Sequence, residues 1–111
     1  MIFRREIYEV DLGSLMAHEP ANIRPAVVLS ADLLNNGPAG LIAIVPVGSA
    51  AYGLRNHVEL SVGSSGLGRV SYARCDQLRT VSTERLRHRL GSAGGGELSL
   101  IGQAIRFVLD L

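Results

Sequence analysis

Short apolar runs separated by turn residues fill most of the chain, and they predict a protein built mainly from β-strands. The continuous apolar runs at 26–29 and 41–47 are typical of strands buried on both faces. Residues 57–62 instead alternate between apolar and polar positions, as a half-exposed strand does. Strand-forming side chains predict further, less regular strands. These cover residues 2–10, 70–73, 77–81 and 87–90.

Helical patterns are fewer and lie mostly at the end of the chain. After three glycines at 94–96, apolar residues recur at helical spacing from Leu98 to Val108 and predict an amphipathic terminal helix. Residues 82–85 predict a helical turn capped by their serine, and residues 35–38 predict a turn. Many strands followed by one helix predict an α+β fold, mainly β, in the form of a small curved sheet or barrel.

The charge of the chain is nearly balanced, but all of its basic residues are of one kind. The formal net charge is +1, and the chain has eleven arginines and no lysine. Six of the arginines fall between residues 69 and 89. A genome that favours Arg, Ala and Gly codons would explain the composition. The clustering also fits phosphate binding, because the planar guanidinium pairs well with phosphate.

Composition removes several classes of protein. A length of 111 residues predicts one domain over residues 1–111, and no apolar run approaches the ~20 residues that span a membrane. The first residues lack the apolar core of a signal peptide, and Cys75 has no second cysteine to pair with, so we expect a cytoplasmic protein. The three histidines and one cysteine have no zinc-site spacing, so we expect no metal and no cofactor.

The segment 18–25 concentrates chemistry at the start of a buried strand. It places His18, Glu19 and Arg24 within seven positions. RNA is cut without metal when its 2′-hydroxyl attacks the adjacent phosphorus, which requires a proton acceptor, a charge stabiliser and a proton donor. An imidazole, a carboxylate and a guanidinium could divide that work. A glutamate and an arginine near a strand start are also common as a purely structural ion pair.

Five segments of the chain resemble motifs of the MazF/PemK family of bacterial toxins. Residues 19–30 resemble its E-x-x-x-x-R-P-A-V-V-L-S signature, and residues 75–81, CDQLRTV, resemble its A-D-Q segment. Residues 4–12, 45–49 and 57–60 resemble its opening R-R-G-E-I-W-x-V-D-L, its V-P-x-T-[ST] and its F-x-V-x-L segments. The resemblance runs from end to end of the chain.

The resemblance implies a fold, an activity and partners. The fold would be a compact, barrel-like antiparallel sheet with short helices and a C-terminal helix. The protein would be the toxin of a type II toxin–antitoxin system, a sequence-specific, metal-independent endoribonuclease that cleaves single-stranded RNA to a 2′,3′-cyclic phosphate. It would act as a homodimer that binds RNA across its dimer face, where the tail of a cognate antitoxin would compete. No membrane partner is implied.

The resemblance also implies roles for particular residues. Arg24 would be the catalytic arginine and Glu19 the carboxylate of the loop before it. Asp76 and Gln77 would line the RNA groove, and the nearby arginines Arg74 and Arg79 would bind RNA with them.

The chain departs from the family pattern at two positions of the site. Gly48 stands where the family has a catalytic threonine, so the next residue, Ser49, is the candidate replacement hydroxyl. His18 stands where the family usually has serine, and a histidine is suited to proton transfer near neutral pH. The alternative is a catalytically weakened toxin that acts by protein binding, on gyrase or by sequestering an antitoxin.

Three remaining candidates are expected to be structural. We expect His57 and His88 to face solvent on their strands. We expect Cys75 to be a small buried apolar residue rather than a nucleophile.

Overall fold

Seven strands and two helices make up the part of the chain that the computed structural model describes, residues 1–13 and 22–111. Two single 3-10 turns, Cys75–Gln77 and Thr83–Arg85, flank the sixth strand. The strands are β1 Glu6–Asp11, β2 Ile23–Val28, β3 Leu41–Gly48, β4 His57–Leu60, β5 Ser71–Arg74, β6 Arg79–Ser82 and β7 Leu86–Ser92. The helices are α1 Asp32–Asn35 and α2 Gly95–Leu109.

The strands form one antiparallel sheet centred on β3. The order is β4-β5-β3-β2-β1-β7, and β6 also pairs with β3. One edge of β3 pairs with β2, while its other edge pairs with β6 near its start and with β5 at its end. The paired strands run from β4 to β7 without closing into a barrel within the described residues. The predicted fold class, mainly β with a C-terminal helix, is confirmed.

Apolar side chains on both faces of the sheet explain why β2 and β3 are continuous apolar runs. On one face, Val27 and Val45 pack with Ile101 and Ala104 of α2. On the other face, alternate residues of the same strands, such as Ala26, form a second cluster. The apolar segments 26–28 of β2 and 42–47 of β3 therefore contribute side chains to both clusters, as their sequence pattern predicted. The helix α2 covers the face that carries Val27 and Val45. The alternate residues of β2 and β3 point to the opposite face, which α2 does not cover.

The terminal helix begins at Gly95, and Glu97 in its first turn connects it to the segment after β4. The Glu97 carboxylate accepts a hydrogen bond from the Gly94 backbone N–H (2.8 Å), and its other oxygen accepts one from the Ser61 N–H beyond β4 (2.8 Å). An acidic group here also suits the positive end of the helix dipole. The predicted terminal helix is confirmed. None of the helices within residues 1–13 and 22–111 has the length and apolar character needed to cross a membrane.

The predicted turn at 82–85 is also confirmed. Ser82 precedes the 3-10 turn, and its hydroxyl oxygen accepts a hydrogen bond from the Glu84 N–H (3.2 Å). A capping serine satisfies one of the backbone donors that a helix start leaves free.

The first strand is shorter than predicted because the chain turns before it. Arg5 has a left-handed φ of 86°, which ends the extended backbone that residues 2–5 would have needed. Buried Glu6 closes this turn by accepting hydrogen bonds from the Phe3 N–H (2.6 Å) and the Tyr8 hydroxyl (3.1 Å), and it pairs with Arg89 of β7. Burial alone would raise the pKa of the Glu6 carboxyl. The donors from Phe3, Arg89 and Tyr8 outweigh burial and hold that pKa below its usual value.

Three other predictions about local structure need correction. Gln77 ends a 3-10 turn instead of starting a strand, so β6 begins at Arg79. The strand predicted over 57–62 ends at Leu60. The short helix α1 was not predicted, because four residues are too few to show helical periodicity.

Candidate active site

The strand register places Arg24 beside Gly48. Ala26 of β2 pairs with Pro46 of β3, so the antiparallel register two residues further along puts Arg24 opposite Gly48. Gly48 in turn pairs with Tyr72 of β5. Because side chains alternate along a strand, these residues share the sheet face that α2 does not cover. Three strands thus meet at the position where the sequence departs from the family pattern.

An open pocket of about 260 Å³ lies at this junction. Arg24, Gly48 and Ser49 line it together, and the turn after β4 adds Arg69, followed by Ser71 of β5. No aspartate or glutamate is among the described residues that line it. The sequence-based expectation that Arg24 and Ser49 belong to one site therefore has a geometric basis. Two guanidinium groups and two hydroxyls, unopposed by a described carboxylate, suit an anionic ligand.

Arg24 itself is exposed and held by a neighbour in the chain. Its Nε donates a hydrogen bond to Asn22 Oδ1 (2.9 Å). This contact orients the guanidinium at the rim of the pocket without neutralising its charge. Glu19 and His18, the other predicted members of this site, lie outside the residues that the structure describes.

Arg74 lies directly over Gly48. A β-carbon added to Gly48 would lie 2.9 Å from Arg74 Nε and 2.7 Å from its Cζ, closer than real β-carbons approach other atoms. Arg74 also faces the ring of Tyr52, with 5.3 Å between Cζ and the ring centroid. The guanidinium of Arg74 therefore occupies the space that a larger side chain at position 48 would fill.

The predicted RNA-binding residues Asp76 and Gln77 follow β5 in an exposed 3-10 turn. One Asp76 oxygen lies 3.3 Å from Nε2 of His57, whose side chain is only 6% exposed. Tyr52 covers the same histidine edge-on, with the ring centroids 6.0 Å apart. The prediction that His57 faces solvent is therefore wrong. Strand alternation gave its face, but not the loop and turn that cover it.

Arg79, the last predicted RNA-binding residue, begins β6 and is exposed. It pairs in register with Ile44, whose side chain belongs to the buried cluster on the face that α2 does not cover. Arg79 therefore lies on the same face as Arg24, further along β3. His88 is exposed, as predicted.

The arginine-rich stretch divides into two groups. The arginines of β7 and of the turn before it pair with acids: Arg89 with Glu6, Arg87 with Asp11 (3.6 Å) and Arg85 with Asp11 (4.0 Å). Arg69, Arg74 and Arg79 form no ion pair with any carboxylate among residues 1–13 and 22–111. The clustering therefore has a structural explanation for one group and leaves the other group without a described acidic partner, and of that group Arg69 lines the pocket.

Cys75 is fully buried and is not placed for chemistry. Burial, followed by the nearby charge of Asp76, raises the pKa of its thiol to about 11. The thiol therefore stays protonated at neutral pH, which supports the prediction of an inert buried residue. Within the described part of the chain, no three His, Cys, Asp or Glu side chains come together as a metal site would require.

Two residues near this site were not assigned to it from the sequence. Arg69 reaches the pocket through the turn after β4, and Tyr52 reaches Arg74 from the loop after β3. Neither belongs to a segment that resembles the family motifs. Arg69 is one of the six clustered arginines, but only the fold brings it to Arg24.

The sheet, its terminal helix and the pocket lined by Arg24 and Arg69 define a small β-rich protein with a cationic pocket. The family model for the PemK-like, MazF-like toxin of type II toxin–antitoxin systems matches residues 3–109, and the chain belongs to this family. It is 37% identical to Endoribonuclease MazF9 of Mycobacterium tuberculosis over 116 aligned residues, which cover 100% of this chain and 98% of that protein.

Solved structures share the fold. MazF in a MazE-MazF crystal structure from Deinococcus radiodurans superposes with a TM-score of 0.84 at 25% identity, covering 99% of this chain and 96% of that one. An endoribonuclease in complex with its cognate antitoxin from a Mycobacterial species superposes with a TM-score of 0.82 at 20% identity, covering 100% and 97%.

Proposed function

We propose that this protein is the toxin of a type II toxin–antitoxin system and that it cleaves single-stranded RNA without a metal ion. The observation that carries the proposal is the pocket where Arg24 and Arg69 meet Ser49 with no described acid in its lining. Such a pocket accepts one phosphodiester of an RNA strand. The relatives named as endoribonucleases support the same activity.

The chemistry is a transfer within the RNA strand. The 2′-oxygen forms a bond to the adjacent phosphorus while the bond from phosphorus to the 5′-oxygen breaks. The 2′-hydroxyl gives its proton to a base, and the leaving 5′-oxygen receives one. The products are a 2′,3′-cyclic phosphate and a 5′-hydroxyl.

Arg24 is suited to stabilise the charge that develops on phosphorus-bound oxygens. An arginine stays protonated in proteins, so it donates hydrogen bonds but does not accept the 2′-proton. His18 and Glu19 are our candidates for proton transfer, and Ser49 is the candidate hydroxyl donor to the phosphate. Asp76, Gln77 and Arg79 are proposed to contact the neighbouring nucleotides along the same face.

Cleavage of a long RNA transcript in the presence of EDTA tests the activity. We expect cuts at defined sequences and a 2′,3′-cyclic phosphate at each new 3′ end, detected by resistance to 3′-end labelling until the cyclic phosphate is opened and the resulting phosphate is removed. A substrate with 2′-deoxyribose at the cut site should stay intact, because that sugar lacks the nucleophile. Cleavage that stops in EDTA, or that proceeds at the deoxy site, would contradict the proposal.

Ser49→Ala is expected to slow cleavage by about 10²–10³-fold. Removal of one preorganised hydrogen-bond donor to a reacting centre typically has an effect of that size. Single-turnover rates would measure it, and Ser64→Ala is the matched control, since Ser64 is exposed and does not line the pocket. Equal rates for the two variants would remove Ser49 from the site.

We propose that the protein works as a homodimer and is inhibited by a cognate antitoxin whose tail covers the RNA groove. Large apolar side chains stay exposed on the single chain, including Leu33, Leu100 and Phe107, and a partner surface would cover such groups. Light scattering at micromolar concentration should return the mass of two chains. A mass of one chain would overturn the proposed assembly without affecting the site.

A further inference from the structure

We infer that Gly48 and Arg74 form an interdependent pair, in which the absence of a side chain at position 48 allows the Arg74 guanidinium to act as a second phosphate-binding group beside Arg24. The inference rests on the proposed function for the identity of the ligand. It concerns Gly48, which stands where the family has a threonine. The space that the threonine side chain would fill is taken by the guanidinium of Arg74.

The backbone of Gly48 gives no reason for a glycine. Gly48 is not among the glycines with positive φ, so any L-residue could adopt its conformation. A glycine within a strand is unfavourable by about 0.5–1 kcal/mol relative to alanine. What excludes a side chain is the guanidinium of Arg74, three atoms of which lie within 3 Å of the position that a β-carbon would take.

Among the residues that the structure describes, packing and not an opposite charge holds Arg74 in this place. Its guanidinium faces the Tyr52 ring at 5.3 Å and covers Gly48. Its Nε is buried and has no hydrogen-bond partner among the described residues. No described carboxylate lies within 4.0 Å of it. A buried donor without an acceptor is unfavourable, and an anion bound against the guanidinium would supply the missing acceptor.

The Arg74 guanidinium lies close to the pocket because it covers Gly48, one of the lining residues. Gly48 lines the pocket, and the register places it between Arg24 on β2 and Tyr72 on β5. Arg74 comes two residues after Tyr72 and shares its face of the sheet. Arg74 does not itself line the pocket, but it covers Gly48, which does. The inference therefore places its guanidinium beside a phosphodiester bound at Arg24, in the space that a threonine side chain would otherwise fill.

The first test removes the charge. Arg74→Ala should slow RNA cleavage by about 10²–10³-fold, as expected for loss of a preorganised donor. It should also weaken binding of single-stranded DNA of the cut-site sequence, which cannot be cut. The slope of log affinity against log salt should fall by about 0.7, the value for one phosphate contact on a single strand.

The matched control is Arg55→Ala. Arg55 is an exposed arginine stacked on an aromatic ring, with its Cζ 4.3 Å from the centroid of Phe107 on α2, the helix that packs on the other face of the sheet. Its removal changes the net charge by the same amount and should leave the salt slope and the cleavage rate unchanged. If Arg74→Ala matches this control in both measurements while the parent protein cleaves RNA, the inference is wrong.

The second test uses Gly48→Ala, which adds a β-carbon without adding a hydroxyl. The clashing atoms are the end of a flexible side chain, so the variant should fold with Arg74 displaced. We expect its cleavage rate and salt slope to fall toward those of Arg74→Ala. The double variant should be no worse than Arg74→Ala alone, because both changes remove the same contact. A Gly48→Ala protein like the parent, or losses that multiply in the double variant, would overturn the pairing.

Tyr52 gives a further check on how Arg74 is held. Tyr52→Phe keeps the ring face and should retain the salt slope, whereas Tyr52→Ala should weaken binding by no more than about fivefold.

If the parent protein cuts no RNA at all, the proposed function fails. The DNA-binding slopes still test the guanidinium pair in that case, with single-stranded DNA of mixed sequence as the probe.

Discussion

Arg24→Ala should abolish detectable RNA cleavage. The proposed role of Arg24 is to stabilise the negative charge that develops as the 2′-oxygen attacks phosphorus, and an arginine in such a role contributes about 10³–10⁵ in rate in other phosphoryl-transfer enzymes. Arg24→Lys should recover only part of the activity, because a point charge cannot make the two parallel hydrogen bonds of a guanidinium. Single-turnover cleavage of the mapped RNA would measure both.

The control for this experiment is Arg106→Ala. Arg106 is exposed on α2, which packs against the other face of the sheet and lines no part of the Arg24 pocket. The Arg106→Ala protein should cleave RNA at the rate of the parent protein. Full activity in Arg24→Ala would mean that the reaction takes place elsewhere on the molecule. Because Arg24 lies at the rim of the sheet and is exposed, its loss should leave the melting temperature nearly unchanged, which separates a catalytic effect from unfolding.

Gly66→Ala should destabilise the protein by about 4 kcal/mol or more, which is in the exceptional range for one substitution. Gly66 has a φ of +73°, and an added β-carbon would lie 2.5 Å from the carbonyl carbon of Leu90 and closer still to its oxygen. Neither backbone segment can move freely, because Gly91 next to Leu90 would itself place a β-carbon 2.5 Å from the carbonyl carbon of Ser65. The turn that carries Arg69 into the pocket depends on this close approach of two backbones.

Gly63→Ala separates the two causes of that destabilisation. Gly63 lies in the same turn with a φ of +101°, but nothing lies within 4 Å of where its β-carbon would be. It should therefore show only the cost of a left-handed backbone, about 1–2 kcal/mol. Urea unfolding followed by circular dichroism would give both values. Equal destabilisation in the two variants would mean that the contact with Leu90 does not limit position 66.

The local elements followed from the sequence because their causes are local. Continuous apolar runs at β2 and β3 reflect burial on both faces, and the recurrence of apolar residues from Leu98 onward reflects one face of α2 packed on the sheet. Ser82 capped the turn that its position predicted. Errors came where the local pattern was too short or was interrupted: α1 has four residues, and the left-handed backbone at Arg5 cut the first strand short.

The candidate site was only partly visible in the sequence. Arg24 was found because it opens a buried strand beside a proline, in a segment that resembles a family motif. Ser49 was found because it follows the position of a missing hydroxyl. His57 was misjudged, since alternation along a strand gives the face of a side chain but not what covers that face. Its cover comes from Tyr52 and Asp76, in two other segments of the chain.

By itself the sequence determined the strands, the terminal helix, the family and the arginine at the start of β2, because burial periodicity and motif spacing are properties of neighbouring residues. Only the tertiary structure decided which arginines form ion pairs with Glu6 and Asp11 and which have no described acidic partner. It also gave Gly48 its meaning. From the sequence, Gly48 stands where the resemblance implies a hydroxyl. In the folded sheet, the guanidinium of Arg74 fills the space that a side chain at Gly48 would take. These two residues are distant along the chain, and the pairing of β3 with β5 brings them together.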